Sequence, residues 1–209
     1  MVLITIEGID GAGKSSLVRR LKHSLTDLDP IFTREPGSTW IGESVRRGIA
    51  EEIDPVAEAL LFAADHAAHI ARVIRPGLAK NRVIISDRYV DSRYAYQSVM
   101  LMGVLPDPDT WLHQVHQHWS IVPDLTFLMV LPVSTALARI SRGRSKKEHF
   151  EQASVLEAVQ QQYLALARAE PSRFIVIDAE LDLAEVHHFM DQTIREAVRR
   201  NAGSSRSHP

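Results

Sequence analysis

The stretch Gly8-Ile9-Asp10-Gly11-Ala12-Gly13-Lys14-Ser15 constrains this chain more than any other part of it. It fits the spacing G-x-x-x-x-G-K-[ST], and its setting agrees: the β-branched run Val2–Ile6 precedes it, and a helical pattern begins at Ser15. A glycine turn between strand and helix lets backbone N–H groups converge on a phosphate that no side chain crowds. Lys14 brings positive charge to the β- and γ-oxygens, the Ser15 hydroxyl suits Mg²⁺, and the helix N-terminus adds its dipole.

The remaining pattern is an alternation. Val2–Ile6, Pro30–Thr33, Val83–Ser86, Leu125–Leu131 and Phe174–Ile177 are short, apolar and bounded by Gly, Pro or Asp, as strands buried on both faces are. Helical spacing fills Ser15–Leu25, Ile41–Glu51, Val56–Leu78, Ser92–Met102, Thr110–Ser120, Ser134–Ser141, Phe150–Ala169 and Leu183–Arg199. Asp182, with Glu185 three residues on, reads as an N-cap and its capping-box partner. The expectation is an α/β fold: a five-stranded parallel sheet flanked by helices on both faces. The chain has 209 residues, no internal repeat and no dividing linker. One domain over residues 1–200 is expected, followed by a disordered tail at 201–209.

Composition excludes several classes. There is no Cys, so a disulfide scaffold, thiol chemistry and a Cys-based zinc site are out. The net charge of -2 argues against a polynucleotide-coating protein. No apolar run approaches the ~20 residues that cross a bilayer, and MVLITIEG does not read as a signal peptide. A cytoplasmic protein without membrane or polynucleotide partners is expected.

Phosphate binding alone does not separate a GTPase, a motor ATPase and a small-molecule kinase. The N-K-x-D guanine motif is absent, and the third strand ends not in Asp-Glu but in Ser86-Asp87-Arg88-Tyr89. An Asp at that edge is placed to hold a metal's waters, and the adjacent Arg to take a second substrate's phosphate.

Several segments together resemble the thymidylate kinase family, whose members pass the γ-phosphate of ATP to dTMP. They are Ile6–Ser15, Thr33-Arg34-Glu35-Pro36-Gly37, Leu60–Asp65, Ile85–Tyr89, and Ser92 with Ala95-Tyr96-Gln97. The likeness spans roughly residues 1–180 and implies a P-loop kinase fold and paired subunits. It implies that Gly8, Ile9, Asp10, Gly11, Ala12, Gly13, Lys14, Ser15, Ser16 and Arg139 bind ATP. Ser15, and Asp87 through water, would hold Mg²⁺. Arg34, Arg46 and Arg88 would gather around the dTMP phosphate. Glu35 would shape the loop beside it, Asp10 would lie between the substrates, Tyr96 against the deoxyribose, Phe62 on the base, and Gln97 at the base edge.

The run Arg139–Lys147 (RISRGRSKK) is strongly basic and reads as a lid, around 141–149, that delivers Arg142 or Arg144 to the transferring phosphoryl group. Some family members carry Arg inside the phosphate loop; this chain has Gly11, so the resemblance is to the subtype whose lid supplies the arginine. Lys14, Asp87, Arg88, Arg142 and Arg144 are the expected catalytic set. Two positions depart from the family. His66 stands where Arg usually donates to thymine O4, and Arg93 stands where a small polar residue is usual. Arg93 is expected to replace the missing donor, with His66 behind it or contributing one nitrogen. Alternative readings are a kinase for another pyrimidine deoxynucleotide such as dUMP, a deoxynucleoside kinase, or a nucleotide-binding regulator without turnover.

Overall fold

The computed structural model describes residues 1–143, 150 and 152–204. Five strands form one parallel sheet: β1 (Val2–Gly8), β2 (Ile31–Arg34), β3 (Val83–Asp87), β4 (Leu125–Val130) and β5 (Phe174–Asp178). Their order is β2-β3-β1-β4-β5. The strands expected from the sequence are all present, within a residue or two at each end.

The strands are apolar on both sides because both sides are covered. In the β1–β3 register, Leu3 pairs with Ile84 and Ile4 with Ile85. Leu3 and Ile84 pack with Ile70 and Ile74, whereas Ile4 and Ile85 belong to the larger cluster containing Leu17, Leu21 and Ile194. Successive residues of one strand therefore face different helices.

The helices around the sheet are α1 (Lys14–Ser24), α2 (Trp40–Glu51), α3 (Pro55–His69), α4 (Arg75–Ala79), α5 (Val90–Ser92), α6 (Ser98–Leu101), α7 (Pro108–His116), α8 (Val133–Gly143), α9 (Ala153–Ala169) and α10 (Leu183–Ser204). Capping is local and chemical. Asp54 accepts from Val56 and Ala57 N–H ahead of Pro55, and Asp182 accepts from Ala184 and Glu185 N–H. Two expected long helices are interrupted by π-helical turns: Ile70–Ile74 joins α3 to α4, and Arg93–Gln97 joins α5 to α6. Several boundaries also differ; α7 spans Pro108–His116 where Thr110–Ser120 is expected. α9 starts at Ala153 rather than Phe150, and α10 continues to Ser204, so the expected tail at 201–209 is helical in its first part. The remainder, 205–209, and lid residues 144–149 lie outside the described residues. Among the described residues no helix is long and apolar enough to cross a membrane.

The sheet brings the C-terminal ends of β1, β2 and β3 together at one edge. In a parallel sheet that edge is where ligands bind, close to the point where the chain changes direction across the sheet. Here the chain builds β2 and β3 on one side of β1, then crosses to β4 and β5 on the other.

Candidate active site

The glycine loop leaves β1 at Gly8 and enters α1 at Lys14. Gly11 has φ +81, and a Cβ there would lie 2.5 Å from the Ala136 carbonyl oxygen. At Gly11 there is therefore room for backbone only, against the backbone of α8. Lys14 folds back over the loop, its Nζ donating to the carbonyls of Gly8 at 2.9 Å and Ile9 at 2.8 Å. Burial lowers its pKa to about 8, helped by the neighbouring Arg88 and opposed by Asp10, Asp87 and Glu7.

Ser15 sits at the mouth of this loop with its hydroxyl 3.4 Å from Asp87 Oδ2. Both donors are hard oxygens from the ends of adjacent elements. They fit a Mg²⁺ site, since that ion takes one or two protein oxygens and completes its shell with phosphates and water. Among the described residues no group of three His or acidic side chains could hold a metal, the His113–His118 run included. His113 instead stacks on Tyr94 with ring centroids 4.3 Å apart.

A cavity of about 720 Å³ opens beyond the loop. Of the expected site residues, Asp10, Gly11, Gly13, Lys14, Ser15, Ser16, Arg34, Glu35, Arg46, Phe62, Asp87, Arg88, Arg93, Tyr96, Gln97 and Arg139 line it. Gly8, Ile9 and Ala12 are buried within the loop. Arg142 is exposed near the end of α8 and is not on the cavity wall; Arg144 lies outside the described residues.

Arg88 is the most connected cation in the cavity. It directly follows β3 with φ +66, in the left-handed region, and its side chain reaches back to Gly8 and Asp10 at the end of β1. Its Nη2 pairs with Asp10 Oδ1 at 2.8 Å and meets Tyr96 Oη at 3.1 Å. Its Nη1 reaches Gly8 O, Ser92 Oγ and Tyr163 Oη at 3.1–3.2 Å. Burial alone would push Asp10 up, but Arg88 and then Lys14 outweigh it and hold the carboxyl well below its ordinary range. The Tyr96 hydroxyl donates to the other Asp10 oxygen at 3.0 Å. Arg34, at the end of β2, and Arg46, from α2, complete the cationic wall. Arg46 Nη1 donates to Pro36 O and Gly37 O, at 3.3 and 3.0 Å. At the opposite end Arg139 bridges Gly11 O at 3.5 Å and Ala179 O at 3.2 Å.

Of the two placements expected for His66, behind Arg93 or donating one nitrogen, the structure has the side chain off the cavity wall with no nitrogen free. It is fully buried behind the cavity wall, with Nδ1 against Glu35 Oε1 at 2.7 Å and Nε2 against Ser120 Oγ at 2.9 Å. Both ring nitrogens are engaged by protein, so this side chain acts on Glu35 rather than on a base. His69 Nδ1 reaches the same Glu35 oxygen. Despite its burial, Glu35 is held well below the ordinary carboxylate range by His66 and by the hydrogen bonds from both rings.

Sequence reasoning missed the groups that hold these residues in place. Glu7, buried in β1, accepts from Tyr89 N–H at 2.7 Å, Ser92 Oγ at 2.6 Å and Tyr163 Oη at 2.9 Å. Burial, then the charge of Asp91, raises its pKa to about 7. Asp65 anchors the loop after β2 by accepting from Gly37 N–H at 2.8 Å. Phe150 lines the cavity and meets the Tyr96 ring edge-on, with centroids 5.6 Å apart. Glu7 was open to notice as a lone carboxylate in an apolar run; the others have no local signal.

A glycine cradle with lysine and paired oxygen donors, facing a separate hollow lined by arginines, defines a P-loop phosphotransferase whose second substrate is itself an anion. The thymidylate kinase family model matches residues 6–190. Curated relatives agree over nearly their full lengths. A probable thymidylate kinase of Methanoculleus marisnigri is 60% identical, covering 100% of this chain and 99% of the relative. That of Methanospirillum hungatei is 54% identical, covering 93% and 94%. That of Methanocorpusculum labreanum is 50% identical, covering 95% and 100%. The chain belongs to the thymidylate kinase family and is an ATP-dependent kinase.

Proposed function

We propose that this cleft transfers the γ-phosphoryl group of ATP to dTMP, giving ADP and dTDP. One observation carries the reading: Arg34, Arg46 and Arg88 share a single cavity with Lys14. An enzyme for a neutral nucleoside would have no use for three cations around its acceptor.

ATP lies along residues 8–16, with Arg139 and the segment 178–180 bordering its adenine. Ser15, and Asp87 through water, hold Mg²⁺, which supplies charge neutralisation at the phosphates when bound. The acceptor's phosphate, with a second pKa near 6, is mostly a dianion at pH 7 and needs no general base. The difficulty is bringing two polyanions together. Lys14 neutralises the donor side and the three arginines the acceptor side, while Asp10 and Tyr96 orient Arg88 and the sugar. Arg142 or Arg144 meets the transferring group from the lid. The protein works in the cytoplasm as a homodimer.

The test is ADP release from ATP and Mg²⁺ with dTMP, dUMP, UMP, AMP and thymidine in separate reactions. Turnover with dTMP is expected; turnover with thymidine and none with dTMP refutes the reading.

A further inference from the structure

Glu7 does not line the cavity, yet its buried side chain lies one layer of atoms behind Arg88, which does. Glu7 Oε1 accepts from the Tyr89 N–H at 2.7 Å. Oε2 is left to two hydroxyls: Ser92 Oγ donates to it at 2.6 Å and Tyr163 Oη at 2.9 Å. The same two hydroxyl oxygens each accept from Arg88 Nη1 at 3.2 Å. Ser92 and Tyr163 are fully buried, as Glu7 is. Two hydroxyls therefore stand between a buried carboxylate and the guanidinium whose other nitrogen, Nη2, meets Asp10 at 2.8 Å.

We infer that Glu7 is a positioning residue for the acceptor side: its carboxylate draws both hydroxyl protons to itself and so turns the lone pairs of Ser92 and Tyr163 toward Arg88. This rests on the reading of Arg88 as a cation that holds the dTMP phosphate. A guanidinium only donates and a carboxylate only accepts, whereas a hydroxyl does both and rotates to suit. Hydroxyls placed between the two are polarised one way, protons to Glu7 and lone pairs to Arg88. Ser92 Oγ and Tyr163 Oη are 2.8 Å apart, so a change at one is passed to the other. A neutral Glu7 reverses the arrangement. Its proton sits on Oε2, because Oε1 faces the Tyr89 N–H, and it donates into the hydroxyl pair. Lone pairs that served Arg88 are then used up. Nη1 keeps Gly8 O at 3.1 Å but is held less firmly by the wall behind it.

The charged groups around Glu7 come from several elements. Asp91, on α5, repels it, though both Asp91 oxygens are held by Arg173 at 2.7 and 2.8 Å. Arg88 attracts it, and its charge is felt by Lys14 at the start of α1 and by Arg93 on the π-helical turn. Burial pushes the Tyr163 phenol well up, so it remains a donor to Glu7. Burial, then Asp91, brings Glu7 itself to about 7. The two hydroxyl arrangements therefore exchange near neutral pH.

The experiment compares kcat/KM for dTMP, and KM for ATP, of the full chain, Glu7→Gln, Tyr163→Phe and the double variant. Glu7→Gln fills the same space, but with its amide oxygen toward the Tyr89 N–H its NH₂ points at both hydroxyls. It should lower kcat/KM for dTMP by roughly 10- to 100-fold at about pH 7.5 and leave the KM for ATP within about twofold. Tyr163→Phe should cost the unaltered chain roughly 3- to 10-fold and cost Glu7→Gln much less, because the two side chains act as a unit. The ratio of unaltered chain to Glu7→Gln should shrink as pH falls from about 7.5 to about 5.5, where both carry a neutral side chain at this position. The acceptor's own titration acts on both proteins alike and cancels in the ratio. Should Glu7→Gln not fold, the ratio of unaltered chain to Tyr163→Phe carries the same test, since it too should shrink over that range. A ratio that stays constant with pH, or Tyr163→Phe and Glu7→Gln losses that simply multiply, makes Glu7 a structural residue alone and overturns the inference, leaving the kinase reading intact. Failure of the unaltered chain with dTMP overturns both.

Discussion

His66 and Glu35 share a buried contact, Nδ1 to Oε1 at 2.7 Å, although the two residues are 31 positions apart. Glu35 leads into the loop whose Pro36 and Gly37 carbonyls hold Arg46. His66 thus bears on the acceptor side through the backbone it steadies. His66→Ala is expected to destabilise the fold by about 1–3 kcal/mol, the cost of stripping a partner from a buried carboxylate. The KM for dTMP should rise and that for ATP stay constant. Urea unfolding and steady-state kinetics check both; no change in either contradicts the role.

Lys14 is expected to act on the donor phosphates alone. Lys14→Met should lower kcat by about 10²–10³-fold, the usual effect of removing one charge-stabilising donor. Stability should change little, because the interactions lost are two hydrogen bonds from Nζ to carbonyls of the same loop. Single-turnover kinetics separates this loss from weaker ATP binding.

Gly11 cannot accept a side chain without moving α8, given its φ of +81 and the 2.5 Å approach to the Ala136 carbonyl. Gly11→Ala should cost about 1–3 kcal/mol, and Gly11→Arg should not restore activity to a variant lacking the lid arginines. Thermal unfolding and ADP release are the measurements. A Gly11→Arg enzyme that rescues such a variant would show that the phosphate loop tolerates the residue after all.

Glu7 predicts a pH dependence of stability with a definite sign. Its pKa rises from 4.5 for the free group to about 7 in the fold, through burial first and then Asp91. Between these values the folded protein holds a proton that the unfolded chain has released, so the group's contribution falls as pH rises through the window. The effect amounts to about 2–4 kcal/mol. Asp10 and Glu35, held low, act in the opposite sense, and their contributions are lost as pH falls below the ordinary carboxylate range. Glu7→Gln should flatten the decline between pH 4.5 and 7 in urea unfolding; an unaltered slope would count against the assignment.

Much of this architecture was legible because it is written locally. Each strand is a short apolar run, the caps at Asp182 and the glycine loop are sequence neighbours, and a parallel sheet follows from their alternation. The π-helical turns were not legible. One extra residue in a helical turn barely disturbs the spacing of apolar positions, yet it sets which way Arg93, Tyr96 and Gln97 point. The direction of His66 was hidden for another reason: Glu35 and Ser120, which hold it, are 31 and 54 residues away. Tyr163 reaches Glu7 across 156 residues, a pairing only the folded sheet creates.

The ion pair between Arg88 and Asp10 joins the two halves of the cleft, since Asp10 belongs to the donor's loop and Arg88 faces the acceptor's hollow. A phosphate that draws the guanidinium toward itself leaves the aspartate's negative charge unshielded beside Lys14. Each occupant therefore alters the electrostatic welcome given to the other, and that influence is equal in both directions. Communication between the substrates needs no hinge or moving domain here; a single shared arginine is enough.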